Sequence, residues 1–180
     1  MNSILVNFVI LSFLLCSCSS NSLKSKYNNS NLPTGPVRYQ ALESWKSSEP
    51  DNFMRLEQFQ VSKNSKLAVY FLPGAGGTVK ENIQRWRNQF LVNESREELL
   101  FEQYNFKAMP LTEFHMVGDF KKSVNPFNPN AEKDIIEAYA MYTVIAELEE
   151  GKWFFKFLGP KAEISSLTEQ IREFISSFQV

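Results

Sequence analysis

The sequence predicts an α+β fold, in which an antiparallel β-sheet has helices packed on its faces. Three observations favour this class. Residues 67–90 read as strand, glycine turn and helix without interruption, several strand patterns follow one another through short turns, and the chain ends in an amphipathic helix pattern. Strands that mostly meander, with helices inserted between and after them, are typical of an antiparallel α+β sheet.

Residues 67–90 are the segment around which the predicted domain is organised. The run LAVYFLP at its start has the length and the branched and aromatic content of a strand covered on both faces. The next residues provide a turn that needs glycine and a hydroxyl that can cap a helix, with Glu81 as its capping-box partner. They are Gly74, Gly76, Gly77 and Thr78. Apolar residues then recur at spacings of four, three and four over residues 79–90, which predicts a helix.

The chain before this segment predicts two short strands. Apolar alternation favours a first strand at residues 37–42 and a second at residues 54–61, where Met54 and Leu56 alternate with polar residues. Ser, Pro, Asp and Asn cluster in the turn between them. Residues 63–65 are predicted to form a hairpin turn into the next strand.

Four strand patterns and a final helix complete the predicted domain. The strands are predicted at residues 100–106, 109–117, 137–148 and 153–158. Residues 96–100 fit either a continuation of the preceding helix or a loop. Residues 118–134 have no regular period and contain two Asn-Pro steps, which predicts a long polar loop. Apolar residues recur at spacings of three and four from residue 164 to residue 178 and predict a helix there.

Composition narrows the classes of function. The 180 residues are 43% apolar and 14% aromatic, which is enough to bury the core of one domain. The net charge of −1 supplies no long-range field that would recruit nucleic acid, so no nucleic-acid partner is expected.

Cysteine and histidine are too scarce for several kinds of site. Both cysteines, Cys16 and Cys18, lie near the N-terminus, so the predicted domain has neither a disulfide nor a thiolate ligand. His115 is the only histidine, which excludes zinc sites built from His and Cys in the body of the protein. The sequence therefore assigns no metal, no cofactor and no catalytic residue.

The N-terminal residues predict export and membrane attachment. Residues 4–15 form an apolar run of the length of a signal-peptide core, shorter than a membrane span. The run ends in Leu15-Cys16-Ser17-Cys18, which resembles the bacterial lipoprotein signal. Cys18 fits that signal better than Cys16, because the small Ser17 precedes Cys18 and the bulky Leu15 precedes Cys16. An ordinary secretory signal, cut between residues 18 and 21, is the alternative.

The lipoprotein resemblance implies a domain order and a location. Residues 1–17 would be a signal peptide, residues 18–36 a flexible tether rich in Ser and Asn, and residues 37–180 the α+β domain. Cys18 would carry a diacylglycerol and an acyl chain such as palmitate, which together hold a protein on a bilayer. The domain would lie outside the cytoplasm in the cell envelope, with the outer membrane favoured if the organism has one.

Three segments of the predicted domain resemble a family of bacterial proteins with the PsbP-like, or Mog-type, α/β/α sandwich fold. They are GAGG at 74–77, NIQRW at 82–86 with QF at 89–90, and GKWFFKFLGP at 151–160. The resemblance implies an antiparallel sheet with helices on its faces, in agreement with the residue patterns. Known relatives of the fold bind other proteins, one of them photosystem II and one a nuclear GTPase. That suggests an accessory or binding role, and no site residue is carried over.

The glycine turn and the polar loop are the candidate contact regions. Backbone N–H groups at a helix start attract anions, so Gly74, Gly76, Gly77 and Thr78 are candidates for a ligand or partner contact. Tight packing of strand against helix explains the same glycines, and the last glycine of GxGxxG and the GK[ST] of a P-loop are absent. Phe127, between the two Asn-Pro steps, is a second candidate contact.

His115 and two tryptophans offer alternative sites. His115 and Glu113 should share a strand face, as a general acid/base pair would, although a solvated strand face has the same pattern. Trp86 and Trp153 could line a pocket, but both lie on periodic apolar faces that favour core packing.

The sequence therefore favours a membrane-anchored, non-catalytic binding module with an envelope protein partner. A ligand-binding protein or hydrolase using the glycine turn or the His115 strand is the alternative.

Overall fold

A computed structural model describes residues 35–74, 76–91, 98–124 and 131–180. The strands are β1 (Lys46–Ser47), β2 (Glu57–Gln60), β3 (Lys66–Pro73), β4 (Phe90–Leu91), β5 (Glu98–Phe106), β6 (Met109–Ser123), β7 (Lys133–Leu148) and β8 (Gly151–Pro160). The helices are α1 (Val79–Arg87), α2 (Lys161–Ser166) and α3 (Thr168–Ser176). Because these helices have only nine, six and nine residues, the sheet is a larger part of the fold than an α/β/α sandwich implies.

The strands of the described residues form one antiparallel sheet, which confirms the predicted sheet type. Its order is β1-β2-β3-β8-β7-β6-β4, and β5 also pairs with β6. The pairing of β3 with β8 runs from Lys66 opposite Leu158 to Pro73 opposite Gly151. This pairing joins the strands of the first half of the domain to the C-terminal hairpin, so neither half forms the sheet alone.

One face of the sheet, here called the α3 face, is covered by α2, α3 and the segment before β1. The C-terminal apolar residues predicted to form one stripe are all buried there against Phe155 and Phe157 of β8. They are Ile164, Leu167, Ile171, Phe174, Ile175 and Phe178. These buried side chains are the part of the α3-face core that the C-terminal segment provides.

The opposite face, here called the α1 face, is covered by α1. Val79, Ile83 and Trp86 are buried on it, as the helical spacing predicts. The predicted helix is wrong at its end, because α1 stops at Arg87 and the buried Phe90 belongs to β4. These buried residues pack on side chains that point from the central strands to this side of the sheet. These side chains are Phe114, Met116, Met141, Ile145 and Phe154. The two faces thus have separate apolar clusters on either side of one sheet.

The predicted first strand, residues 37–42, is wrong. This segment pairs only through an isolated bridge, in which Arg38 N donates to Gln179 O at 2.7 Å and Gln179 N donates to Arg38 O at 2.9 Å. Val37 is nevertheless buried, and Tyr39 packs against the α3-face core. The alternation therefore reports side-chain burial, whereas a strand also needs a neighbouring backbone to pair with.

The predicted second strand and the predicted long loop both have different limits. Strand β2 is confined to Glu57–Gln60, and Met54 and Leu56 before it are exposed. The predicted loop at residues 118–134 is wrong at both ends, because β6 continues to Ser123 and β7 begins at Lys133. The added parts of β6 and β7 are only partly buried, and β6 has a bulge between Gly118 and Phe120. They therefore lack the apolar pattern from which a strand is predicted.

The predicted C-terminal helix is two helices, separated at Leu167. The Leu167 N–H donates to the carbonyls of both Glu163 and Ile164, which ends α2. The Ser166 hydroxyl donates to Glu163 O at 2.7 Å, and the Thr168 hydroxyl donates to Ser165 O at 2.9 Å. Such local hydroxyl bonds compete with the continuous helix, although the apolar spacing runs through the break.

Glu163 ties α2 to the turn between β2 and β3. Its carboxylate accepts from the Ser62 hydroxyl, from Asn64 N at 2.9 Å and from Ser65 Oγ at 2.8 Å. These bonds, that from Ser62 most, lower the pKa of Glu163 from 4.5 to about 2. Because the folded-state pKa is depressed, the stabilisation is present above about pH 4.5 and is lost as the pH falls towards 2.

Glu163→Gln is therefore expected to lower stability at pH 6 and to make little difference at pH 2. Urea unfolding between pH 6 and pH 2 measures the difference in the free energy of unfolding between wild type and variant. This difference should become steadily smaller as the pH falls. Glu169→Gln is the control, since Glu169 pairs with Arg172 on an exposed surface. If the loss of unfolding free energy in Glu163→Gln were the same at every pH, the charge of the carboxylate would not be what holds this turn.

Candidate functional site

The glycine turn positions α1 over the sheet. Gly74, Gly76 and Gly77 have φ values of 63°, 22° and 77°, which favour glycine. A Cβ on Gly76 would lie 2.9 Å from Leu72 Cβ, so the turn also packs closely on β3. Gly74 N donates to Glu150 O at 2.7 Å and fixes the turn to the β7–β8 hairpin.

The first polar groups of α1 bond within the chain. Thr78 N donates to Glu81 Oε2 at 2.7 Å, and Glu81 N donates to Thr78 Oγ1 at 3.1 Å, which confirms the predicted capping box. The Asn82 side chain donates to the carbonyls of Gly76 and Thr78 at 3.1 and 2.9 Å. The Glu81 carboxylate thus occupies the place where an external anion would bind a helix start. A ligand contact at Gly74, Gly76, Gly77 and Thr78 stays a prediction.

His115 and Glu113 share a face of β6, as the alternation predicts. The Glu113 carboxylate accepts one hydrogen bond from the Tyr104 hydroxyl and one from the Tyr142 hydroxyl. Burial, and then the bond to Glu113, raise the pKa of both tyrosines, so both phenols stay protonated donors at neutral pH. The His115 ring centroid lies 5.6 Å from that of Tyr142. The arrangement is a carboxylate held between two phenols at the edge of the α3 face.

The two tryptophans lie on opposite faces of the sheet and do not line a common pocket. Trp86 is buried on the α1 face, where its ring meets Phe154 edge-on at 5.7 Å. Trp153 lies on the α3 face and stacks with Phe155 at 6.3 Å. Both therefore take part in packing, as their periodic spacing predicts.

A lysine that no sequence motif marks as a candidate site residue lies beside Trp86 on the α1 face. Lys156 of β8 is partly buried, and its Nζ lies 5.8 Å from the Trp86 ring centroid and donates to Gln89 Oε1 at 2.8 Å. The sequence signal was a single charge inside the apolar run WFFKFL. Its partners come from the NIQRW and QF segments, so two of the three segments that carry the family resemblance meet here.

Arg55 lies on the same side of the sheet. Its Nε donates to the Tyr70 hydroxyl at 3.0 Å, and its guanidinium bonds Asp51 at 2.7 Å. In the β3–β8 register, Tyr70 is opposite Phe154 and Ala68 is opposite Lys156. Arg55 therefore reaches the strip of sheet that also carries Lys156.

Three apolar side chains around Arg55 form an exposed group, here called the apolar tip. Phe53, Met54 and Leu56 are 88%, 54% and 52% exposed. Their backbone is held by bonds from Met54 N to Asn52 Oδ1 at 3.0 Å and from Leu56 N to Val69 O at 2.9 Å. This surface was not predicted from the sequence, because the alternation of Met54 and Leu56 with polar residues predicted a strand.

Two further properties concern the described residues only. Across 35–74, 76–91, 98–124 and 131–180, no three His, Cys, Asp or Glu side chains come together as a metal site. No helix in these ranges has the length and apolar character needed to cross a bilayer. Cys18 and Phe127, the predicted lipidation site and a predicted contact, lie outside them.

The comparisons with known proteins identify the fold. No family model matches the sequence, and no curated protein matches it. Among solved structures, the chain is similar to the solution structure of cyanobacterial PsbP (CyanoP) from Synechocystis sp. PCC 6803, with a TM-score of 0.51 and 8% identity. The match covers 80% of this chain and 86% of that one. The protein therefore has a PsbP-like fold, and at this identity the similarity concerns the fold alone.

Proposed function

We propose that the protein is a lipid-anchored, non-catalytic binding module of the cell envelope. Cys18 anchors it to the membrane, and the apolar tip docks onto a protein partner. The exposure of Phe53, Met54 and Leu56 as one group is the observation that carries the docking role. Exposed apolar groups with an aromatic anchor are typical of protein interfaces.

The tip is held in position before binding. Arg55, between Met54 and Leu56, is fixed by Asp51 and Tyr70 beneath it. Because the segment is already ordered, docking loses less conformational entropy than docking of a flexible loop would. Phe53 is then available as the central anchor of the interface.

The charges around the tip favour a protein with a basic rim over an anionic bilayer. Residues 49–57 carry three carboxylates, those of Glu49, Asp51 and Glu57, against the one guanidinium of Arg55. Lys66 lies 3.3 Å from Asp51 and offsets part of this negative charge. A partner with an apolar pocket bordered by Lys or Arg complements this surface, whereas anionic lipid headgroups would be repelled.

Membrane attachment is tested by metabolic labelling with an alkyne fatty acid. The wild type should incorporate the label and enter the detergent phase of a phase-separation assay. Cys18→Ser should do neither, while Cys16→Ser should behave as the wild type. Labelling that survives Cys18→Ser would overturn the proposed anchor.

Docking is tested with a photo-crosslinking amino acid at position 53 in cells of the native organism. Position 173, an exposed site on α3, is the matched control. We expect a defined protein adduct from position 53 only, at least tenfold weaker when Leu56→Asp is added. Reconstituted from purified components, the pair should show saturable binding that Phe53→Ala weakens at least tenfold. Lipid adducts alone from position 53, or equal protein adducts from both positions, would contradict the proposal.

A further inference from the structure

The described neighbours of the Lys156 ammonium on the α1 face are uncharged. Its Nζ donates to the neutral amide oxygen of Gln89 and lies against the Trp86 ring. Within the described part of the chain, no carboxylate pairs with it. A partly buried ammonium in this position has lost part of its hydration without gaining an ion pair, which is an unfavourable arrangement for the protein alone.

Two guanidiniums add to the positive charge at this place. Arg55 bonds the Tyr70 hydroxyl on this side of the sheet, and Arg85 of α1 donates to the Asn82 side chain. Both are close enough to disfavour the charged form of Lys156. Three cations therefore lie near one strip of the sheet, and one of them, Arg55, is already paired with Asp51 at 2.7 Å.

Two neutral polar groups lie within the same cluster. Thr143 of β7 is directly opposite Lys156 in the sheet, is fully buried, and its Oγ1 makes no hydrogen bond among the described residues. The Gln89 amide accepts from Lys156, so its NH₂ group faces away from that bond and remains a donor. Hydroxyl, amide and ammonium groups together provide donors for an oxyanion.

We propose that Lys156, Arg85 and Arg55 form a binding site for the oxyanion group of a small ligand, a carboxylate or a phosphate. Lys156 and Arg85 supply charge, Gln89 and Thr143 supply hydrogen bonds, and Trp86 forms one wall. The bound anion provides the counter-charge that Lys156 lacks among the described residues. Arg55 belongs both to the tip segment and to this site. The test therefore varies Lys156 and Arg85 and leaves Phe53, Met54 and Leu56 unchanged.

The proposed site has a defined pH dependence. Burial, and then Arg55 and Arg85, lower the pKa of Lys156 to about 7. The charged groups that act on it are Arg85 of α1 and Arg55 of the tip segment, and the neighbouring strands place Ala68 of β3 and Thr143 of β7 opposite it. Because anion binding favours the ammonium, affinity is expected to weaken as the pH rises from 6 to 8.5.

The experiment is calorimetric titration of the full chain in neutral detergent with inorganic phosphate, succinate and sulfate at constant ionic strength. Sulfate serves for the pH series, because its charge is constant from pH 6 to 8.5. Lys156→Met and Arg85→Gln are each expected to weaken binding at least tenfold. Lys80→Met is the control, since Lys80 is an exposed residue of the same helix.

The outcomes separate cleanly. Saturable binding that both variants weaken supports the site, and tighter binding of succinate or of phosphate identifies the ligand group. Failure of all three anions to bind saturably, or binding that neither variant changes, overturns it. Arg85 is exposed, so Arg85→Gln keeps the test valid even if Lys156→Met fails to fold. Crosslinking from position 53 does not involve these residues, so either proposal can fail alone.

Discussion

Phe174→Ala is expected to lower the free energy of unfolding by about 3–5 kcal/mol, the usual cost of removing a buried phenylalanine. Phe174 of α3 is fully buried on the α3 face. Its ring centroid lies between 5.1 and 6.0 Å from those of five other aromatic rings. They belong to Tyr39, Trp45, Phe155, Phe157 and Phe178. The truncation therefore leaves a cavity where the N-terminal segment, β8 and α3 meet.

Urea unfolding followed by tryptophan fluorescence measures this loss. Phe53→Ala is the matched control, because it makes the same chemical change at an exposed position and should alter stability by less than about 0.5 kcal/mol. Equal losses in the two variants would mean that the α3 face is not the main core of the domain. The pair also separates the two roles of phenylalanine here, since only Phe53 is expected to affect partner binding.

The parts of the fold that depend on neighbouring residues could be predicted from the sequence. The capping box of Thr78 and Glu81 joins residues three apart, and the apolar stripe of α1 joins residues three and four apart. The buried C-terminal stripe is equally local. Such patterns need no knowledge of the rest of the molecule. The residues are capped or buried as predicted, although α1 ends at Arg87 and the C-terminal helix is divided at Leu167.

The parts that could not be predicted depend on contacts between distant segments. The 37–42 segment has strand-like alternation, but the only described backbone that pairs with it is at Gln179. Lys156 contacts Trp86 of α1 and Gln89 just after it, and Gln89 lies 67 positions earlier in the chain. Met54 and Leu56 have the pattern of buried residues and are exposed, because β2 begins only at Glu57. Apolar periodicity cannot distinguish a core face from an exposed apolar surface.

Gly159→Ala is expected to destabilise the domain by about 3 kcal/mol, at the upper end of the usual range for overpacking. A Cβ at residue 159 of β8 would lie 2.6 Å from Ser65 Cβ and 2.9 Å from Ser65 Cα. Ser65 cannot move away easily, because its carbonyl accepts from Val61 N at 3.0 Å and its hydroxyl donates to Glu163. The substitution therefore forces apart the β2–β3 turn and the end of β8.

Ser65→Gly provides the matched test of this mechanism, because it removes the Cβ and hydroxyl that the new methyl group would meet. In a double-mutant cycle, Gly159→Ala should cost at least about 1 kcal/mol less in the Ser65→Gly background than in the wild type. Gly74→Ala is the second control: a Cβ there has no neighbour within 4 Å, so only the positive φ of 63° opposes it, at about 1 kcal/mol. Gly159→Ala within about 0.5 kcal/mol of the wild type would contradict the close approach of β8 to this turn.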